Sequence, residues 1–126
     1  MEYTKIKKID HVVLTSKHVE ECLGFYRMLG FKAVEEDKRF ALYAGDFKLN
    51  VHIEGQELKP NAYLAKPGTL DLCFEIEGSL DEMIHALDKQ GIKTSEIGIK
   101  HGVLGEMHSF YVRDPDQNLL EFCSYE

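Results

Sequence analysis

The sequence predicts an α+β fold of two βαβββ repeats whose strands form a curved, incompletely closed mixed sheet. Three observations lead there. Strand-like and helix-like segments follow the same order in both halves of the chain. The glycines that end the two helical segments, Gly30 and Gly91, lie about sixty residues apart, and a repeat of that length signals internal pseudo-symmetry. Each half is also too short to bury its own sheet, so the two must associate. The 126 residues suit one domain, with repeat one near 7–55, a linker over 56–68 containing Pro60 and Pro67, and repeat two near 69–126.

The first repeat opens on Ile9-Asp10-His11-Val12-Val13-Leu14-Thr15, a strand-like run. A helix follows, with Val19, Cys22, Leu23, Tyr26 and Leu29 at three- and four-residue spacing, and Gly30 suits the position just beyond its end. Strands are expected over 31–35, 40–43 and 48–54, the last two joined by the turn Ala44-Gly45-Asp46-Phe47. In the second repeat, 70–76 reads as a strand and Ser79-Leu80-Asp81-Glu82 as a capping box. The helix it starts carries the apolar stripe Leu80, Met83, Ile84 and Leu87, and Gly91 ends it. Strands over 93–97, 108–113 and 119–124 complete the repeat, with Lys100 to Gly105 read as a glycine-rich loop.

Composition narrows the function. The formal net charge of −7 argues against nucleic acid as a partner, because phosphate binding needs a basic surface. The chain shows neither a signal-peptide pattern nor a stretch long enough to span a membrane, and a cytoplasmic setting is expected. Cys22, Cys73 and Cys123 have no C-x-x-C spacing and sit among apolar neighbours, so three buried thiols are expected.

Alternation along strands assigns the side chains to faces. Val12 and Leu14 suit the helix side, which leaves His11 and Val13 opposite. Leu49, Val51 and Ile53 form an apolar face, with Asn50, His52 and Glu54 behind it. Leu72, Phe74 and Ile76 pack on the helix, leaving Asp71, Cys73 and Glu75 on the opposite face, and Leu120 and Phe122 pack, leaving Glu121 and Cys123 facing away. His11, His52 and Glu121 would thus form a two-histidine, one-carboxylate set for a divalent cation, with open positions for water or a bidentate substrate. Each taken alone has an ordinary use as a strand histidine or a solvent-facing acid. His101 and His108, with Phe110, are candidates for a substrate pocket, while His18 and His85 are expected on helix surfaces.

Three stretches carry a resemblance: Ile9-Asp10-His11-Val12, Phe25-Tyr26-x-x-Leu29-Gly30-Phe31, and Asp114-Pro115-Asp116-x-Asn118-Leu119-x-Glu121. Together they resemble the vicinal oxygen chelate superfamily (glyoxalase, bleomycin resistance, dioxygenase) from Ile9 to Tyr125. Asn50-Val51-His52, Pro67-Gly68-x-x-Asp71-Leu72-Cys73 and Tyr111 to Asp116 are similar to a subgroup of glyoxalase-domain and virulence-associated glyoxalase-like proteins. The resemblance implies one divalent metal ion (Zn, Ni, Mn, Fe or Mg) held by up to four strand residues, two from each repeat. His11 and Glu121 match cleanly. Asp71 stands where the family's second histidine is expected, as a ligand or a group that orients one. Asn50 stands where its first glutamate is expected, with His52 two residues further on and the better ligand of the two.

The implied activity is chelation of a small oxygenated substrate and stabilisation of an enolate or alkoxide, in lyase, isomerase or epoxide-opening chemistry, with Glu121 as base. A homodimer is expected. The rival expectation is a metal-free drug- or small-molecule-binding protein of the bleomycin-resistance type, with a broad cleft lined by Tyr43, Tyr63, Phe110 and Tyr111.

Overall fold

The computed structural model describes residues 4–37 and 39–126. The chain divides into two compact units, Met1–Pro67 and Gly68–Glu126, and the division falls at the end of the proline-bearing linker. Unit one holds β1 (His11–Ser16), α1 (Val19–Met28), β2 (Lys32–Glu36), β3 (Arg39–Ala44) and β4 (Phe47–Ile53). Unit two holds β5 (Asp71–Glu75), α2 (Leu80–Lys89), β6 (Gly98–Gly102), β7 (Gly105–Arg113) and β8 (Leu119–Ser124). Each unit is a four-stranded mixed sheet, ordered β1-β4-β3-β2 and β5-β8-β7-β6. In both, the first strand pairs in parallel with the last and the remaining pairs are antiparallel. Among the described residues no helix is long and apolar enough to cross a membrane.

The two helices share one design. Acidic residues occupy the first turn (Glu20 and Glu21; Asp81 and Glu82) and a basic residue the last (Arg27; Lys89), each sign complementing the helix dipole. Ser79 Oγ accepts from the Glu82 N–H at 3.3 Å, as the capping-box spacing predicts. Both helices close with a 6→1 backbone bond, Phe31 N–H to the Tyr26 carbonyl at 2.9 Å and Ile92 N–H to the Leu87 carbonyl at 3.0 Å. Such a closure needs a left-handed residue between helix and strand, supplied by Gly30 at φ 103° and Gly91 at φ 75°.

The cores differ in tightness. In unit one, Leu14, Cys22, Tyr26, Leu42, Leu49 and Val51 are all fully buried. In unit two, Phe110 and Leu120 are fully buried and Phe122 packs against Phe74 and Phe110. The expected stripe of α2 is only partly realised: Leu80 and Leu87 are buried, whereas Met83 and Ile84 are half-buried.

One strand differs from expectation. Residues 93–97 are not a strand, and β6 lies at Gly98–Gly102, overlapping what reads as a glycine-rich loop. Its partner is β7, which starts at Gly105, with Val103 and Leu104 as the hairpin tip. Three glycines in eight residues conceal the strand, since glycine carries no pattern of alternation. Ser95 still bonds to β7, its N–H to the Tyr111 carbonyl at 3.0 Å and its Oγ accepting from the Tyr111 N–H at 2.8 Å.

A buried lock joins the turn before β8 to the start of β5. Asp114 is 2% exposed; its carboxylate accepts from the N–H of Asp116 and Asn118 and from Asn118 Nδ2, at 2.8–3.0 Å. Asn118 Oδ1 in turn accepts from the Leu70 N–H at 2.9 Å. Gly68 lies against the same turn: a Cβ there would meet the Asp116 carbonyl oxygen at 2.8 Å, and its φ of 78° is left-handed. The lock sets the register of β5 on β8 and so the spacing of the acidic side chains they carry.

Candidate functional site

Strand pairing defines a polar face on each sheet. In unit one, His11 pairs with Lys48, Val13 with Asn50 and Thr15 with His52, while Tyr43 pairs with Lys48 and Ala41 with Asn50. Paired residues share a face, so His11, Lys48, Asn50, His52, Ala41, Tyr43 and, one step on, Arg39 look the same way. In unit two the corresponding face carries Asp71, Cys73, Glu75, Glu121, Cys123, Ser109 and Tyr111.

His11 is a prepared donor. Its Nδ1 lies 2.9 Å from Asp10 Oδ2. Held so, the ring is fixed in orientation by its Nδ1 side, the usual arrangement behind a metal-ligating histidine. The hydrogen bond and charge of His11 in turn lower the Asp10 pKa. Beside His11, Lys48 Nζ lies 3.3 Å from Glu36 Oε1, and the Tyr43 hydroxyl donates to the same carboxylate at 3.2 Å.

His52 does not pair with His11. It is level with Thr15, whereas His11 is level with Lys48, so four residues, roughly 13 Å of strand, separate their levels. Two donors to one ion must lie within a few ångströms of each other. The expected His11–His52 pair is therefore not formed within this sheet; Asn50, two residues nearer, is closer to the level of His11. His52 is 7% exposed with neither ring nitrogen partnered, and Asn50 is 5% exposed with Oδ1 unpartnered. Burial, then the charge of Arg39, lowers the His52 pKa against a weaker opposing pull from Glu57, so the ring is neutral.

Glu121 is the centre of the second unit's polar face. Ser109 Oγ donates to its Oε2 at 2.6 Å. Tyr111, paired with it across β7 and β8, is held protonated by desolvation and then by the charges of Glu121, Asp71 and Cys73. Asp71 is level with Leu119 and Cys73 with Glu121. The expectation of three buried thiols is corrected at one position: Cys22 and Cys123 are buried, but Cys73 is exposed, on an edge strand. Desolvation of its sulfur, then Cys123 and Glu121, push the thiol up to about 12, and it stays protonated at neutral pH. A thiol so protonated is a poor nucleophile.

The expected pocket residues lie on the other side of this sheet. His108 and Phe110 alternate with Ser109 and Tyr111 along β7, and His101 pairs with Glu106 on the same side as His108. Phe110 is fully buried core, not a pocket wall. His108 lines an open depression of about 470 Å³ at the start of α2, with Ser79, Leu80, Ile97 and Ser124, on the face opposite Glu121. The expected aromatic lining is dispersed as well: Tyr63 is 99% exposed, and Tyr43 and Tyr111 are engaged with carboxylates.

Four contributors escape sequence reasoning in these roles. Asp10 enters only as part of a motif, and no pattern in the sequence singles out Arg39. Ser109 and Tyr111 were within reach: counting back from the turn 114–118 pairs Arg113 with Leu119 and therefore Tyr111 with Glu121. Among the described residues, no group of three or more His, Cys, Asp or Glu side chains that could hold a metal ion stands together. The donors fit a divalent cation in kind, imidazole and carboxylate, and fewer than three are assembled.

Comparison with known proteins gives a consistent lineage. The Mycosarcoma maydis protein "Glyoxalase domain-containing protein RDO1" is 38% identical over 123 residues, covering 96% of this chain and 70% of that one. Virulence protein STM3117 of Salmonella typhimurium is 37% identical over 123 residues, covering 95% and 85%. The crystal structure of STM3117 superposes with a TM-score of 0.94 over 98% of this chain and 100% of that one. The Vibrio cholerae integron cassette protein VCH_CASS1, 37% identical, gives 0.93 over 98% of each chain. With a family model matching residues 8–122, the chain belongs to the Glyoxalase/Bleomycin resistance protein/Dioxygenase superfamily.

Proposed function

We propose that the chain is a divalent-metal-dependent, glyoxalase-like enzyme that acts as a cytoplasmic homodimer on a small substrate carrying two neighbouring oxygens. The observation that supports it is a pair of prepared donors: His11, with Nδ1 held by Asp10 at 2.9 Å, and Glu121, with Oε2 held by Ser109 at 2.6 Å. These are the proposed ligands of one ion (Zn, Ni, Mn, Fe or Mg), and Asp71 adds an anionic oxygen beside Glu121. Fewer than three donors gather among the described residues, which favours a site completed by a second copy, by water and by the substrate.

When bound, the ion supplies Lewis-acid polarisation of a substrate oxygen. Glu121 is the proposed base. With Ser109 on Oε2, its Oε1 is left to take the substrate proton, and the protonated Tyr111 beside it fixes the carboxylate's orientation. The family's first-repeat glutamate has Asn50 in its place, and Asn50 cannot accept a proton, so proton transfer falls to Glu121. This favours one-base chemistry, as in lyase, isomerase or epoxide-opening reactions, over a two-glutamate relay.

The test is metal content by mass spectrometry on chelator-free protein, wild type beside His11→Ala and Glu121→Ala, with circular dichroism to follow the fold. Near-stoichiometric metal in the wild type, lost in both folded variants, is expected. Protein that takes up none of the five metals would overturn the proposal in favour of a metal-free ligand-binding protein.

A further inference from the structure

We propose that Arg39, Asn50 and His52, at one end of the polar face of unit one, form a subsite for a small hydroxycarboxylate group, a carboxylate with a hydroxyl on the neighbouring carbon. The inference rests on the enzymatic reading above and names the class of substrate for it.

Position comes first. Asn50 and His52 project from the same face of β4, two residues apart. Ala41 stands opposite Asn50, and Phe40 opposite Val51, so the next residue, Arg39, stands beside His52. Ala41, opposite Asn50, is fully buried and adds no polar group of its own. Arg39 is half-buried, whereas Asn50 and His52 are 5% and 7% exposed, so Arg39 is the most accessible of the three.

The second observation is unmet hydrogen bonding. Among the described residues, the buried side-chain nitrogens and oxygens without a partner are Arg39 Nε, Asn50 Oδ1, His52 Nδ1 and His52 Nε2. All four belong to these three neighbouring side chains. Native proteins leave few such groups, and a concentration of them in one place marks a site that another molecule satisfies.

The donors and acceptors then define that molecule. Arg39 Nε–H donates. A neutral imidazole donates from one nitrogen and accepts at the other, and Asn50 Oδ1 accepts. Two donors beside a guanidinium charge suit the two oxygens of a carboxylate. The acceptor on Asn50 then requires an adjacent O–H from the ligand. Among the described residues no carboxylate pairs with Arg39. Glu57, the acid that acts on His52, already accepts from the Gly55 N–H at 2.8 and 3.0 Å.

The test uses glycolate as the probe, with acetate (no hydroxyl) and glycolamide (no charge) beside it. Binding is read from the ring nitrogen resonances of His52 in ¹⁵N-labelled full-length protein. Glycolate is expected to shift them saturably, with acetate weaker and glycolamide weaker by about tenfold or more. Arg39→Met is expected to weaken glycolate by about tenfold or more while keeping its metal. If that variant fails to fold, Arg39→Lys retains the charge without the planar fork and is expected to bind glycolate more weakly than wild type. Unmoved His52 resonances, equal response to glycolate and glycolamide, or undiminished binding in the folded Arg39 variant would overturn the subsite. Metal content is measured on the same samples. Retained metal without a glycolate response removes the subsite alone, and a glycolate response in protein that takes up no metal removes the metal reading alone.

Discussion

Laid strand on strand, the two units repeat their register while exchanging their chemistry. Matching His11↔Lys48 to Asp71↔Leu119 sets Leu49 with Leu120, Val51 with Phe122 and Phe40 with Phe110, so the apolar positions of one repeat answer those of the other. On the polar face the same matching sets His11 with Asp71, Asn50 with Glu121, His52 with Cys123, Ala41 with Tyr111 and Arg39 with Ser109. The acids gather in unit two and the neutral or cationic groups in unit one. Burial also differs: Asn50 and His52 are nearly enclosed, whereas Asp71 is exposed and Glu121 half-buried. A scaffold used twice is thus divided into a half whose polar face is acidic and a half whose polar face is neutral or cationic. The comparison teaches that register, more than residue type, is what the repeat preserves.

The largest expected effect breaks the comparison at its turns. The hairpin of unit one turns on Asp46, which is exposed, while the turn of unit two is built on the buried Asp114. Asp114→Ala should cost about 3 kcal/mol, since it strands three N–H donors that now reach a carboxylate. Asp46→Ala should stay within about 0.5 kcal/mol. Urea unfolding measures both, and equal losses would show that the lock at 114–118 carries no special weight.

A middle-sized effect sharpens the assignment of prepared donors. Asp10→Ala in unit one and Ser109→Ala in unit two each remove the group that holds a proposed ligand, and each should weaken metal affinity by about tenfold. Competition titration against a chromogenic chelator reads the change. If only one variant responds, the ion depends on one unit's donors alone.

The smallest effect concerns pH. The pKa of His52 is lowered in the fold, and the corresponding position of unit two is Cys123, which carries no such charge. Between the lowered value and the ordinary one of 6.5, the unfolded chain binds more protons than the folded chain, so stability rises with pH. The contribution is fully present above the ordinary histidine range and is lost as pH falls through the folded value. His52→Gln should flatten that part of the stability curve, measured as midpoint against pH, and an unchanged slope would refute the assignment to His52.

Much of the architecture was legible because alternation and helix spacing are local. The facing of His11, Asn50, His52, Asp71 and Glu121 follows from apolar neighbours two residues apart, and both helix ends follow from a single glycine after an amphipathic stripe. Pairing between strands was harder. His52 attracted a ligand assignment by its chemistry, but whether it lies level with His11 depends on the β1–β4 register, which a connection running through a helix and two further strands leaves open. His108 and Phe110 drew attention for the same chemical reason, although the turn at 114–118 already implied that their neighbours Ser109 and Tyr111 share the face of Glu121. Gly98, Gly102 and Gly105 hid β6 because a strand without side chains has no period to read.

Gly68 touches no proposed ligand, yet its missing Cβ is what lets the chain pass the Asp116 carbonyl into β5. Any other residue there would shift the strand that carries Asp71 and, through it, the geometry around Glu121. In a saturation-mutagenesis map, position 68 would score with the proposed ligands: intolerance there would record how the polar face of unit two is assembled.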